Sequence, residues 1–167
     1  MSHDYPVYKP ALHGNERKYV NHCIDSSWIS SRGEYISRFE EGFAAFLELP
    51  AATAVANGTV ALHLALHALG IGPGDEVIVP TLTYIASVNA IAYVGAKPVF
   101  VDSLDDTWNL DPEDVRRKIT SRTKAVMVVH LYGNPCAMVE LQTLCAEHKL
   151  LLVEDAAEAF GSKYNGR

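Results

Sequence analysis

A sheet of parallel strands covered by helices on both faces is the fold class this sequence predicts. Three observations predict it. First, Glu76–Val79, Lys124–Val129 and Leu150–Val153 are short apolar runs without the polar alternation of a half-exposed strand. Second, stretches with helical spacing lie between them, long enough to serve as crossovers. Third, those stretches carry helix start and stop signals, Asp111-Pro112-Glu113 being the clearest.

The elements follow in order. Asn15 to Ser26 reads as a helix with Val20, Cys23 and Ile24 on one face, and Trp28 to Gly33 as a loop. Ile36, Phe39, Phe43, Phe46 and Leu47 recur at the spacing of a second helix. Thr53 to Ala56 reads as a short strand, and Thr59 to Leu69 as an Ala- and Leu-rich helix stopped by Gly70. The turn Gly70–Asp75 is glycine-rich but is no dinucleotide fingerprint: its spacing is wrong, Pro73 interrupts it, and a strand follows where a helix is required. Ser87 to Val94 is helical and Pro98 to Val101 a strand. Asp111 opens the next helix as N-cap, with proline and an acid in its first turn. Lys124–Val129 is a strand, Met138–His148 a helix and Leu150–Val153 a strand. Ser162 to Tyr164 reads as a strand before Asn165-Gly166, a type I′ hairpin signal. Only Arg167 follows, so the sequence is expected to stop inside a structural unit of a longer protein.

Composition excludes several classes. The chain has 167 residues, 49% of them hydrophobic and 20% charged, which argues for a folded core and against disorder. A net charge of −6 argues against a nucleic-acid surface. The three cysteines, Cys23, Cys136 and Cys145, lack zinc-site spacing and fit a reducing compartment. Met1 to Pro6 carries no signal-peptide pattern, and no apolar run reaches the roughly 20 residues of a membrane helix. A cytoplasmic protein without membrane partners is the expectation.

Chemistry concentrates in two places. Asn57-Gly58-Thr59 opens a helix, whose free amides and dipole attract a phosphate while glycine permits close approach; an ordinary turn capped by Thr59 is the alternative. Glu154 and Asp155 end an apolar strand, where open α/β sheets place their ligands. Together they fit a pyridoxal phosphate site, in which an aspartate keeps the ring nitrogen protonated so that the ring withdraws electrons. Asp155 could instead cap the turn that follows. Tyr84 lies past a strand end, suited either to stack on a flat cofactor or to fill the core. His130, also at a strand end, either faces a substrate or fixes its loop. His63 and His67 share a helix face, but no third metal ligand accompanies them, and Cys136 has no evident partner base for nucleophilic catalysis.

The stretches WISSRGEYISRFE (Trp28–Glu40), ANGTVALHLAL (Ala56–Leu66), GPGDEVIVPTLTYIASVNAI (Gly72–Ile91), VHLYG (Val129–Gly133) and VEDAAEAFGSKYNG (Val153–Gly166), in this order, resemble the DegT/DnrJ/EryC1/StrS family of sugar aminotransferases. The resemblance runs from about Tyr5 to Arg167 and matches the amino-terminal portion of such proteins. It implies the type I pyridoxal phosphate-dependent transferase fold, a three-layer α/β/α arrangement incomplete at the C-terminus. Residues 1–35 would then form an N-terminal helix and substrate-side loop, and 36–167 the first part of the large cofactor-binding domain.

The resemblance also implies roles. Pyridoxal 5'-phosphate would be held by Gly58 and Thr59 at its phosphate, Tyr84 on its ring, Asp155 at its nitrogen and Glu158 near its hydroxyl. Trp28, Ser30, Ser31 and His130 would border a nucleotide sugar. Many relatives carry glutamine or histidine where this chain has Glu158, so that carboxylate is expected to be protonated or turned aside. The Schiff-base lysine of the family lies beyond the equivalent of Arg167, and Lys163 does not match its motif. Gly14–Tyr19, Ser30–Gly33 and Ala157–Ala159 are most similar to members that move the amino group of glutamate to C4 of GDP-4-keto-6-deoxymannose, working as homodimers. A 3-dehydratase acting on the same sugar, or a truncated non-catalytic paralogue, are the alternatives.

Overall fold

The computed structural model describes residues 10–166, so the expectations at Met1–Pro6 and Arg167 lie outside the described residues. The chain divides into two units at Ala54/Val55.

The first unit holds α1 (Glu16–Asp25) and α2 (Glu34–Phe46). Both helices stand where the apolar spacing puts them. Yet α1 has no buried residue and α2 buries only Ala44, while Val20, Ile24, Phe39 and Phe46 are exposed. Tyr19 and Tyr35 lie 4.9 Å apart, and the Arg38 guanidinium sits 5.0 Å from the centre of the Tyr35 ring.

The second unit is the sheet. Its elements are α3 (Gly58–Ala68), β1 (Glu76–Pro80), α4 (Ile85–Tyr93), β2 (Lys97–Val101), α5 (Pro112–Lys118), β3 (Thr123–Val129), a 3₁₀ turn (Leu131–Gly133), α6 (Met138–His148) and β4 (Leu151–Asp155). All pairs are parallel and the order is β2-β1-β3-β4. Central β1 is buried along its whole length, as a parallel strand covered on both faces must be.

Alternate residues of the strands feed two cores. Val77, Val79, Ala125, Met127 and Val153 pack with Leu62 and Leu66 of α3 and Ala90 and Ile91 of α4. Ile78, Val126 and Val128 pack on the other side with Val115 of α5 and Leu141 and Leu144 of α6. This is the three-layer architecture predicted, built on the period of two along a strand. The first crossover (α4) leads from β1 to β2; the second (α5) returns past β1 to β3; the third (α6) leads outward to β4. The chain therefore leaves β1 and β3 in opposite directions, making the gap between them a topological switch point.

Polar groups fix both ends of the sheet, Glu76 at the amino end of β1 and Asp114 at the carboxyl end of β2. Buried Glu76 accepts from Thr120 Oγ1 at 2.6 Å and Arg122 Nη2 at 2.7 Å, and these two bonds hold its carboxyl below the usual range. Asp114, at the start of α5, takes the Lys118 ammonium at 2.8 Å and the Asp102 amide at 2.8 Å, which lower it to about 2.

Three expectations are corrected. Thr53–Ala56 is not a strand: no described strand pairs with it, and the Ala54 N–H is taken by Glu40 Oε1 at 2.8 Å. Ser162–Tyr164 is not a strand either, because the Ser162 amide closes a turn on the Ala159 carbonyl at 2.9 Å. The turn chemistry there is nonetheless as expected, with φ of 51° at Asn165 and 82° at Gly166. Finally, Asn57 rather than Thr59 caps α3, its Oδ1 accepting from Val60 N at 3.0 Å.

Candidate active site

Four segments meet the carboxyl edge of the sheet. Thr81–Tyr84 follows β1, His130–Asn134 follows β3, and Ala156 onward follows β4. The fourth is the start of α3, whose carboxyl end joins the amino end of β1 by a short turn, so the helix runs back against the strand.

Asn57 shapes that start. Its extended backbone and side-chain cap direct the chain into the helix, leaving the amides of Gly58 and Thr59 without intrahelical acceptors. A Cβ placed on Gly58 would meet nothing within 4 Å, so the space beside this residue is open. An anion is the ligand such an end receives.

Tyr84 is the N-cap residue of α4 and is 68% exposed, which places it outside the core formed by the described residues. An exposed aromatic at a strand end offers a flat face to a planar ligand. Asp155, the last residue of β4, is partly buried. Its Oδ2 accepts from Ser87 Oγ at 2.7 Å and its Oδ1 from the Ala157 amide at 3.2 Å. It thus caps its turn and at the same time is tied to α4, leaving lone pairs on both oxygens for a further donor.

The loop after β3 is held from several sides. His130 is buried, its Nδ1 accepting the Cys136 N–H at 3.1 Å and its Nε2 lying 3.1 Å from Glu154 Oε2. Cys136 and then Glu154 draw the imidazole towards protonation, up to about 9, against its burial; the Cys136 N–H works the other way, since a proton on Nδ1 would break that bond. Of the two roles open to His130, this geometry supplies the loop-fixing one. Buried Asn109 donates to the Asn134 carbonyl at 2.9 Å and accepts from the Leu131 amide at 3.3 Å. Exposed Glu158 accepts the Tyr132 N–H through Oε2 at 2.7 Å, and Ser162 Oγ donates to the Gly133 carbonyl at 2.8 Å.

The sequence reading missed Ser87, Thr83 and Asn109. The Asp155 partner of Ser87 and the loop partners of Asn109 lie far off along the chain, so no spacing rule reveals them; Thr83 bonds its near neighbours Tyr84 and Ser87, and the position of Ser87 on the first turn of a predicted helix at a strand end was the signal for both.

In the first unit, Trp28 and Ser30 line a cavity of about 520 Å³ together with His22, Arg32 and Tyr35; Ser31 is exposed and does not line it. His63 packs edge-on against Tyr93, with ring centres 5.8 Å apart. Among the described residues no cluster of three or more His, Cys, Asp or Glu could hold a metal, and no helix is long and apolar enough to cross a membrane.

Comparison with known proteins adds the following. Residues 10–167 match the model of the DegT/DnrJ/EryC1/StrS aminotransferase family. GDP-perosamine synthases of Escherichia coli O157:H7 and Vibrio cholerae are each 60% identical over 97% of this chain, which spans 44% of their length. Among solved structures, a Streptococcus pneumoniae protein described as a sugar aminotransferase, in its PLP form, superposes with a TM-score of 0.89 at 30% identity, over 99% of this chain and 46% of its own.

Proposed function

The chain belongs to the DegT/DnrJ/EryC1/StrS aminotransferase family, and from that premise we propose that the protein carrying it is a pyridoxal 5'-phosphate-dependent sugar-nucleotide aminotransferase. The reaction is transfer of the amino group of glutamate to C4 of GDP-4-keto-6-deoxymannose, giving GDP-perosamine. The observation that carries this reading is the convergence, at the carboxyl edge of the sheet, of an open helix start (Gly58, Thr59), an exposed aromatic ring (Tyr84) and an anchored carboxylate (Asp155). These suit the phosphate, ring and nitrogen of such a cofactor. The similarity to GDP-perosamine synthases supports the substrate.

When bound, the cofactor supplies an electron sink through which an amino group leaves one carbon and joins another. The residues of this chain bind and orient. The Gly58 and Thr59 amides receive the phosphate dianion with the α3 dipole behind them. Tyr84 covers one ring face and shields it from water. Asp155 holds a proton on the ring nitrogen by facing it with a carboxylate. Glu158, with one oxygen on the Tyr132 amide, has the other for the side of the ring bearing the hydroxyl. Trp28, Ser30 and Ser31 contact the nucleotide sugar, and His130 supports the loop beside it. Residues 1–35 serve the substrate side and 36–167 the cofactor side. The protein works as a homodimer in the cytoplasm.

The test is amino transfer from glutamate to GDP-4-keto-6-deoxymannose by the protein as its source makes it, read as 2-oxoglutarate formed. Transfer confined to another nucleotide sugar would overturn the substrate and keep the class. Loss of the C3 hydroxyl without transfer would identify a dehydratase. Absence of any cofactor absorbance or borohydride-trappable adduct would reject an enzyme altogether.

A further inference from the structure

We infer that Ser87 is the positioning residue of this site, setting the Asp155 carboxylate and the Tyr84 backbone in one fixed relation. This rests on the cofactor reading above and goes beyond it, because it concerns a residue that touches neither cofactor nor substrate.

The observations are geometric. Ser87 is fully buried in the first turn of α4. Its hydroxyl donates to Asp155 Oδ2 at 2.7 Å, across 68 positions of sequence. Its amide donates to the Tyr84 carbonyl at 3.3 Å. One residue therefore bonds, through its side chain, to the carboxylate expected to meet the ring nitrogen and, through its amide, to the backbone of the residue whose aromatic ring is expected to stack there. Behind it stands Thr83, whose Oγ1 is 3.1 Å from Ser87 Oγ and 3.3 Å from the Tyr84 carbonyl.

The direction of this chain of hydroxyls follows from chemistry. A serine has one hydroxyl proton, and an ionised carboxylate only accepts. With Asp155 ionised, the Ser87 proton points to Oδ2. The single Thr83 proton has two acceptors within reach, the Tyr84 carbonyl and Ser87 Oγ, so the bond from Ser87 to Asp155 is the fixed link and Thr83 an auxiliary donor to it. A carboxylate held on one oxygen by Ser87 and on the other by the Ala157 amide cannot swing about its terminal torsion. Its free lone pairs keep a constant direction, which a second supporting shell of hydrogen bonds supplies to ligating groups generally. A merely structural serine would need only any buried acceptor; this one bonds the carboxylate that ends β4 at the carboxyl edge of the sheet.

The experiment uses the protein as its source makes it, as wild type, Ser87→Ala, Ser87→Thr and Thr83→Val. Each is titrated with pyridoxal 5'-phosphate and its absorbance recorded across pH, with thermal unfolding of the cofactor-free form measured alongside. Ser87→Ala is expected to weaken binding about tenfold, the size of one hydrogen bond to a charged group, and to shift the pH profile of the bound-cofactor spectrum. Ser87→Thr, which keeps the hydroxyl, restores both. Thr83→Val produces a smaller change of the same sign. Unchanged affinity and pH profile in Ser87→Ala would overturn the inference and leave the cofactor reading intact. Equal loss in Ser87→Ala and Ser87→Thr, or a fall in thermal stability with no spectral change, would also overturn it. If Ser87→Ala does not fold, Ser87→Cys, which keeps the size but donates weakly, takes its place, and wild-type affinity and pH profile in it overturn the inference. A wild type that binds no cofactor fails the earlier reading instead, and is told apart by that control.

Discussion

The two units of the chain bury their apolar residues very differently. In the second, Leu66, Ile78, Ile91 and Met127 are wholly inaccessible, and β1, β3 and β4 each serve two helix layers. In the first, two helices of good apolar periodicity leave Ile24, Phe39 and Phe46 more than half exposed. Periodicity reports which face of a helix prefers burial; it does not report whether something covers that face. The sheet unit satisfies its own pattern, whereas α1 and α2 carry a pattern that the described residues leave open.

This contrast can be broken by substitution. Leu66→Ala is expected to cost about 3 kcal/mol of unfolding free energy, from lost transfer energy plus the cavity left behind, and Phe39→Ala under about 1 kcal/mol, as for an exposed site. Urea unfolding of both variants checks it. Equal losses would mean that Phe39 is covered in solution and that the two units are alike.

Smaller effects sharpen the contrast. Asn57→Ala removes the cap of α3 and should cost about 1 kcal/mol; it should also weaken anion binding at Gly58 and Thr59, read by inorganic phosphate titration. Acid should act on the sheet unit through Asp114. Its pKa is lowered by Lys118 and the Asp102 amide from 3.8 to about 2, so its contribution is complete above pH 4 and is lost as pH falls towards 2. Because Lys118 and Arg117 are largely exposed, screening limits this to about 1 kcal/mol. Asp114→Asn should flatten that part of the stability–pH curve, measured by urea unfolding from pH 5 to 2. In the first unit, the exposed pair Glu34–Arg38 at 3.1 Å should matter least: Glu34→Gln is expected to leave the thermal midpoint where it is.

What the sequence disclosed, and what it hid, divides along physical lines. Local signals were legible: Asp111 caps α5 through the Glu113 amide, α6 runs from Met138 to His148, and the strand-end position of Asp155 was visible in the apolar run before it. Strand status at Thr53–Ala56 and Ser162–Tyr164 was not, because a strand is defined by a neighbour and β-propensity carries no information about one. The capping of α3 was misassigned between two residues that both have capping side chains; backbone conformation decides, and Asn57 is the one that is extended. The anchoring of Asp155 by Ser87 was out of reach, since sheet topology alone brings residues so far apart in sequence together.

The sheet order also governs the making of the protein. Strand β1 is its innermost apolar segment, yet it leaves the ribosome before both of its partners. At 5–20 residues per second, its first neighbour, some twenty residues downstream, follows about one to four seconds later. For that interval Val77-Ile78-Val79 is an unpaired, sticky tripeptide in the nascent chain. The residues that bracket it are Glu76 and Pro80, a charge and an imino acid, both poor partners for a foreign strand edge. The acid that later anchors the amino end of the mature sheet thus first serves as a guard against aggregation during synthesis.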